Sequence, residues 1–243
     1  MTEFLKISSK DNPLIKLVCA LHSSSKERKK QGIFVLEGLR ISFDALENGI
    51  EFDKLIVSES AYEKYQNEIK QLSLNSNNRY LLKNDLFKKI SDTDSPQGII
   101  TLAKIPEKKT SLNPEGRYIA LENLQDPSNL GAVSRTAEAL GVCGIILSGG
   151  CDPYSSKSLR ASMGTLLRMP LYIAEDLMEF ICENKLTSYA CVVDKNAKRI
   201  TDVCFPNGSV IIIGNEANGI SESTKKREFR QGNKIKRQSL CLY

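Results

Sequence analysis

The chain has a single histidine, no tryptophan, no C-x-x-C pair and no apolar run near the ~18 residues a membrane span requires. Each absence removes a class of chemistry. His22 sits in "CALHSSSKERKK" with nothing resembling a Ser-His-Asp triad beside it, and reads as a surface or helix-end histidine. Seven cysteines (Cys19, Cys143, Cys151, Cys182, Cys191, Cys204 and Cys241) make an odd set without paired spacing. That argues against a disulfide framework and a thiolate zinc site, and for a reduced, cytoplasmic protein that needs no metal. No Walker A, G-x-G-x-x-G or H-E-x-x-H sequence occurs, so phosphate-loop, dinucleotide-fold and zinc-protease readings lack their anchors. "MTEFLKISSKDNP" carries neither the basic start nor the apolar stretch of an export signal, so neither secretion nor a membrane is expected.

What is present is ordinary for a folded protein: 243 residues, 41% hydrophobic and 26% charged, too apolar for general disorder. The formal charge of +5 is concentrated. Residues 221–243 hold seven cations against two acids, so the other 220 residues sum to zero. Net charge is therefore a poor argument for nucleic-acid binding by the body of the chain. A local patch, "SSSKERKKQG", reads as a solvated loop whose Lys26, Arg28, Lys29 and Lys30 are positioned for RNA phosphates.

The first hundred residues alternate short apolar runs with amphipathic ones ("IFVLEG", "LRISFDALENG", "KLIVS", "YEKYQNEIKQL", "YLL", "NDLFKKIS", "GIITLAKI"), the pattern of a small α/β unit over residues 1–104. The polar "IPEKKTSLNPEGR" marks a linker at 105–117. A second unit, 118–243 with an atypical tail at 221–243, restarts the alternation. It runs as strand "YIALENL", helix 129–141, strand "GIILSG", helix 155–168, strand "LYIA", helix "DLMEFICENKL" and strands "YACVVD" and "SVIIIGN". Strands alternating with helices predict a mostly parallel sheet with ligands beyond the carboxyl ends of its strands.

Two stretches concentrate polar residues at that edge. In "NLQDPSNLGAVSRTAEALGV", Ser128 or Asn129 is placed to cap a helix whose core stripe is Leu130, Val133, Ala137 and Leu140. Arg135 lies off the stripe; a surface pair with Glu138 is one reading and a site residue the other. In "VIIIGNEANGIS", four β-branched residues end at Gly214, where backbone can approach a flat ligand, followed by Asn215, Glu216 and Asn218 in a polar turn. A third, "SKSLRASMGTLLRMPL", interrupts a helical pattern at Ser162 and Gly164.

In order and content these pieces resemble the SpoU/TrmH family of RNA 2′-O-ribose methyltransferases of the SPOUT superfamily. "DPSNLGAVSRTAEALGV" is similar to its first motif, "ASMGTLLRMPL" to its intermediate helix segment and "IIIGNEANGIS" to its second motif. "FVLEGLRISFDAL" and "TDSPQGIITLAKI" resemble its N-terminal, ribosomal-protein-like RNA-binding domain. The resemblance implies a trefoil-knotted α/β methyltransferase domain with a parallel sheet, S-adenosyl-L-methionine as cofactor, structured RNA (ribosomal before transfer RNA) as substrate, and a homodimer. It implies Arg135, Asn129 and Glu216 as catalytic residues, and Gly214, Ile213, Asn215 and Gly219 as cofactor contacts. The family's third motif is a strand ending in Ile-Pro, a small-residue loop and Ser-Leu-Asn opening a helix. It is replaced here by "STKKREFRQGNKIKRQSLCLY", in which no helix is expected. That departure gives an alternative: an RNA-binding relative that binds the cofactor weakly and does not turn over.

Overall fold

The computed structural model describes residues 4–72, 78–107, 111–231 and 234–236. They form two compact units: one is 1–107 together with 152–168, the other 108–151 with 169–243. Residues 152–168, placed by the sequence pattern inside the second unit, pack as part of the first.

The first unit runs β1 (Leu5–Ile7), α1 (Pro13–Ser23), α2 (Ser25–Gln31), β2 (Ile33–Glu37), α3 (Leu39–Glu47) and β3 (Phe52–Ser58). It continues with α4 (Glu59–Lys64), α5 (Gln66–Gln71), β4 (Arg79–Leu82), α6 (Asn84–Lys88) and β5 (Ile99–Lys104). The sheet order is β1-β4-β3-β5-β2, with β5 antiparallel to both neighbours. Helices cover both faces, which is why β2 and β5 are apolar at almost every position rather than at alternate ones. On one face Leu14, Val18 and Leu21 of α1 and Phe87 of α6 pack on Ile56, Ile100 and Leu102. On the other, Leu39, Ala61, Ile69 and Leu72 pack on Leu55, Val57 and Ile99.

The basic patch is a helix, not a loop. Ser24 caps α2 by accepting from the Glu27 N–H at 3.2 Å, and Gly32 ends it in the left-handed conformation at φ 68°. The helix separates the four cations by face. Lys26, Lys29 and Lys30 are exposed, whereas Arg28 is only 4% exposed. Its guanidinium reaches Asp152 at 2.7 Å and donates to the carbonyls of Leu21 and His22, which end α1. Arg28 is therefore withdrawn from the set of RNA-facing cations, because a buried charge is held by the partners that neutralise it.

The segment 152–168 holds α8 (Ser156–Ser162) and α9 (Thr165–Arg168), the predicted single helix broken where Met163 and Gly164 take φ of 51° and 86°. A Cβ on Gly164 would fall onto the Asp44 carboxylate, which pairs with Arg168. His22, at the end of α1, meets Ser156 Oγ at 2.8 Å through Nδ1. Burial pushes its pKa below the ordinary histidine value, against the opposing charges of Asp92 and Glu37, while Arg160 adds to the lowering.

The second unit contains β6 (Arg117–Glu122), α7 (Pro127–Ala139), β7 (Gly144–Ser148), β8 (Leu171–Ile173), α10 (Leu177–Glu183), β9 (Thr187–Val192), β10 (Ser209–Ile213), α11 (Glu222–Gln231) and β11 (Lys234–Lys236). Its six strands lie in the order β11-β9-β10-β6-β7-β8, and every pairing is parallel. Leu177, Met178 and Ile181 of α10 pack with Ala120, Ile146, Val210 and Ile212 of the strands. The tail departs from expectation: α11 forms, and Ile235 of β11 is fully buried beside Cys191 of β9. The remaining tail residues, 237–243, lie outside the described residues.

Arg28→Ala leaves Asp152 buried without its partner and is expected to cost about 3 kcal/mol in urea unfolding. Replacing Lys26, Lys29 or Lys30 by Ala should change stability by less than about 0.5 kcal/mol. His22 has a folded pKa below its unfolded one, so the unfolded chain binds the extra proton first. Its contribution is complete above about pH 6.5 and is lost as the pH falls through the lowered folded value. Thermal melts from pH 7.5 to 5 should therefore fall less steeply for His22→Gln than for the unsubstituted chain.

Candidate active site

The strand order places a switch point inside the second unit. From β6 the chain moves to β7 and β8 on one side, whereas β9, β10 and β11 lie on the other. Adjacent strands whose connections leave in opposite directions open a crevice at their carboxyl ends. Here that crevice lies between β6 and β10, which pair in register from Ser209↔Arg117 to Ile213↔Leu121. Continuing the register one and two residues sets Gly214 beside Glu122 and Asn215 beside Asn123.

The second polar stretch is a closed turn. Asn215 and Gly219 exchange both backbone hydrogen bonds at 2.9 Å. Asn215 Oδ1 accepts from the N–H groups of Ala217 and Asn218 at 3.0 Å, and its Nδ2 donates to the Asn123 carbonyl at 2.9 Å. Gly214 is required by this closure: a Cβ there would lie less than 3.0 Å from backbone atoms of Gly219 and Ile220. The room expected at Gly214 for a flat ligand is thus filled by the chain itself. Gly219 is the residue with space before it; at φ 68° it has nothing within 4 Å of a Cβ position.

The turn aims Glu216 at the start of α7. Its carboxylate accepts from Asn129 Nδ2 at 3.0 Å and from the Gln125 and Asp126 N–H groups at 3.2 Å each. Burial by itself raises this carboxyl, but donations from Asn129, its own N–H and those of Asp126 and Gln125 hold it below the usual glutamate value. An anion at a helix N-terminus is further favoured by the aligned peptide dipoles. The cap of α7 is Asp126, accepting from the Ser128 N–H at 2.8 Å, and not Ser128 or Asn129. Pro127, with its fixed φ and no N–H, starts the helix two residues before the expected 129. Asn129 is thereby left to bond Glu216.

Arg135 lies six residues beyond Asn129 on α7, ~9 Å along the axis, and is exposed. The helix buries Leu130, Gly131, Ser134 and Ala137. Leu140, expected in that stripe, is 76% exposed because the helix ends at Ala139 and Leu140 is its cap. Asn129 and Glu216 are thus in contact, and Arg135 stands on the same helix. Ile213, Gly214, Asn215 and Gly219 belong to one turn beside them. Lys26, Lys29 and Lys30 belong to the other unit.

Sequence reasoning missed two supports. Glu122, 7% exposed at the end of β6, accepts from the Ser221 N–H at 2.8 Å, Ser221 Oγ at 2.7 Å and Thr224 Oγ1 at 2.8 Å. It ties the strand to the first turn of α11, where Ser221 Oγ also accepts from the Thr224 N–H. The Ser-x-x-Thr spacing after an apolar strand was the available signal. Asn123, at φ 55°, turns the chain out of β6. A Cβ on Gly149 would strike the Asn123 side chain, and one on Gly150 the Leu124 backbone, so both glycines are set by this packing.

Gly214→Ala is expected to lose about 2–4 kcal/mol, since the clash is with backbone that cannot rotate away. Glu216→Gln should cost about 1–2 kcal/mol by presenting an NH2 to N–H donors. It should also flatten the pH dependence below about 4.5, where the lowered carboxyl pKa makes the unsubstituted chain lose stability with acid. Chemical denaturation between pH 3 and 7 reads both.

Comparison with known proteins agrees with this geometry. Residues 116–232 match the SpoU rRNA Methylase family and residues 12–101 the MRM3-like substrate binding domain. An uncharacterised tRNA/rRNA methyltransferase from Synechocystis is 33% identical over 225 residues, 90% of this chain and 81% of the relative. The 23S rRNA (guanosine(2553)-2′-O)-methyltransferase RlmP of Bacillus subtilis is 28% identical, covering 88% of this chain and 84% of its own length. In fold, the AdoMet-bound rRNA methyltransferase of Sinorhizobium meliloti superposes with a TM-score of 0.80 at 24% identity, over 98% of this chain and 90% of that one. The matches cover both units of a chain whose second unit is a parallel sheet with its strand order reversing between the paired β6 and β10, and the chain belongs to the SpoU methylase family.

Proposed function

We propose that this protein methylates the 2′-hydroxyl of a ribose in structured RNA, with ribosomal RNA as the substrate class and S-adenosyl-L-methionine as the methyl donor. The observation that carries the reading is the bond from Asn129 to Glu216 beyond the carboxyl ends of β6 and β10, which ties the helix bearing Arg135 to the 213–219 turn. The names of the Bacillus and Synechocystis relatives support the substrate class.

The donor's pocket falls to the backbone of Ile213, Gly214, Asn215 and Gly219. Gly219, with nothing within 4 Å of a Cβ position, leaves its main chain open to approach. When bound, the donor supplies an electrophilic methyl on a sulfonium. What the protein's residues contribute is position and charge. A ribose hydroxyl is a poor nucleophile, and holding it in line with the methyl supplies much of the rate. A guanidinium offers hydrogen-bond donors and no acceptor, so Arg135 is assigned to positioning and charge rather than to proton abstraction. Its fork is suited to a phosphate and the reacting oxygen together, stabilising charge as it develops there. Glu216 and Asn129 act through the first turn of α7, fixing the helix that carries Arg135.

The family resemblance adds three features to the reading: a trefoil knot, a homodimer and a cytoplasmic location. Leu140, exposed at the end of α7, is a residue such an interface would cover. Cys19, Cys143, Cys182 and Cys204 are free thiols, which suits a reducing compartment. Lys26, Lys29 and Lys30 on α2 are offered as phosphate contacts.

Arg135→Lys keeps the charge and loses the fork. Transfer of labelled methyl to 23S rRNA should fall about 10²-fold, with donor affinity by calorimetry unchanged; near-normal transfer by this variant would refute the assignment. Calorimetry on the unsubstituted chain should give micromolar donor binding, about −8 kcal/mol.

A further inference from the structure

The first unit has a cleft of about 240 Å³ between α3 and the α8–α9 turn, away from every residue assigned above. Ile41 of α3 and Leu159 of α8 form its apolar floor, and Met163 stands at its edge. Met163 is 55% exposed and occupies a left-handed backbone position, φ 51°, that an unbranched side chain seldom takes. The apolar side chain is held in the open at a conformational cost.

The polar groups around the cleft are spent, with one exception. The Glu37 carboxylate accepts from Ser91, from Thr93 Oγ1 at 2.6 Å and from the Asp92 N–H at 3.0 Å, so its oxygens are engaged away from a ligand although its charge remains at the cleft wall. Gln97 is fixed by the Leu39 N–H at 2.8 Å and by a bond to the Tyr65 hydroxyl. Arg160 pairs with Asp92 at 2.8 Å with nearly half of its side chain exposed. Arg40 lines the cleft, is exposed, and has no hydrogen bond or ion pair among the described residues. An apolar floor with one uncommitted guanidinium at its rim is complementary to a flat apolar group carrying a negative charge beside it. The volume is below the ~300 Å³ typical of sites for drug-sized ligands, and so suits one such group.

We propose that this cleft receives one unstacked nucleotide of the RNA substrate, its base against Ile41, Leu159 and Met163 and its phosphate on Arg40. Sequence information in RNA is carried by bases that leave the stack, whereas phosphate contacts set register and affinity. A single-base cleft in the substrate-binding unit gives the protein a means of choosing its RNA that the exposed lysines of α2 lack. The inference rests on the RNA methyltransferase reading above.

The test uses the full chain and 23S rRNA transcribed with 4-thiouridine in place of uridine. Photocrosslinking should place an adduct on the tryptic peptide spanning 161–168, which carries Met163. Met163→Gly removes the wall while relieving the left-handed backbone, so its melting temperature should equal or exceed that of the parent. Arg40→Ala alters an exposed side chain. Each should weaken RNA binding about tenfold with donor binding unchanged, and Arg40→Ala alone should reduce the slope of log affinity against log salt by about 1. Both variants binding within twofold of the parent would overturn the proposal, as would absence of adduct on 161–168. An effect of Arg40→Ala alone would also overturn it, reducing the cleft to a phosphate contact. In all of those cases methyl transfer by the parent leaves the enzyme reading standing. A parent that neither binds RNA nor transfers methyl sinks that reading, and the cleft with it.

Discussion

The second unit depends on one carboxylate. Glu216 stands at the end of a turn that leaves β10, yet its hydrogen bonds go to residues that leave β6. Two strands that pair only through their backbones are thus joined again beyond their ends, at the point where the sheet opens. The bond network lowers the carboxyl's pKa in spite of burial, so the group is ionised wherever the protein is folded at neutral pH. Around it the local choices follow. Gly214 must lack a side chain for the turn to close, Asn215 must reach Asn123, and Asp126 must cap α7 so that Asn129 is free.

Glu122 performs a parallel task one residue row deeper. Its buried carboxylate takes three hydrogen bonds from Ser221 and Thr224 and so joins the end of β6 to α11. An acidic residue in such a place is costly unless every lone pair direction is occupied, and these hydroxyls and N–H groups occupy them. The two carboxylates together pin the crevice from both sides. A donor site made largely of backbone has few side chains to hold its shape, and this pair supplies that rigidity.

Much of this was legible. Runs of Val and Ile bounded by glycine gave the central strands, the polar 123–128 turn gave a helix after β6 though with its cap placed at Ser128 or Asn129 rather than Asp126, and the order of the motifs gave the family. The misreadings share a cause. Arg28 looked like one of four equivalent cations, and only a helix turns it from its neighbours toward Asp152, 124 residues away in the chain. Leu140 fitted the helical spacing but lies at a cap. The tail's α11 has little apolar pattern because it is anchored at its first turn by Glu122, far away in sequence.

The sequence by itself determined the alternation of strands and helices and the residue types at the carboxyl edge, since these follow from periodicity and turn chemistry within short windows. Tertiary structure alone decided which carboxylates are buried, which glycine is closed and which open, and that 152–168 packs with the first unit. The carboxylate and 152–168 contacts join residues about 90 to 130 positions apart, and even the local closure of Gly214 on Gly219 is a steric contact set by ångström-scale separations that no residue pattern encodes.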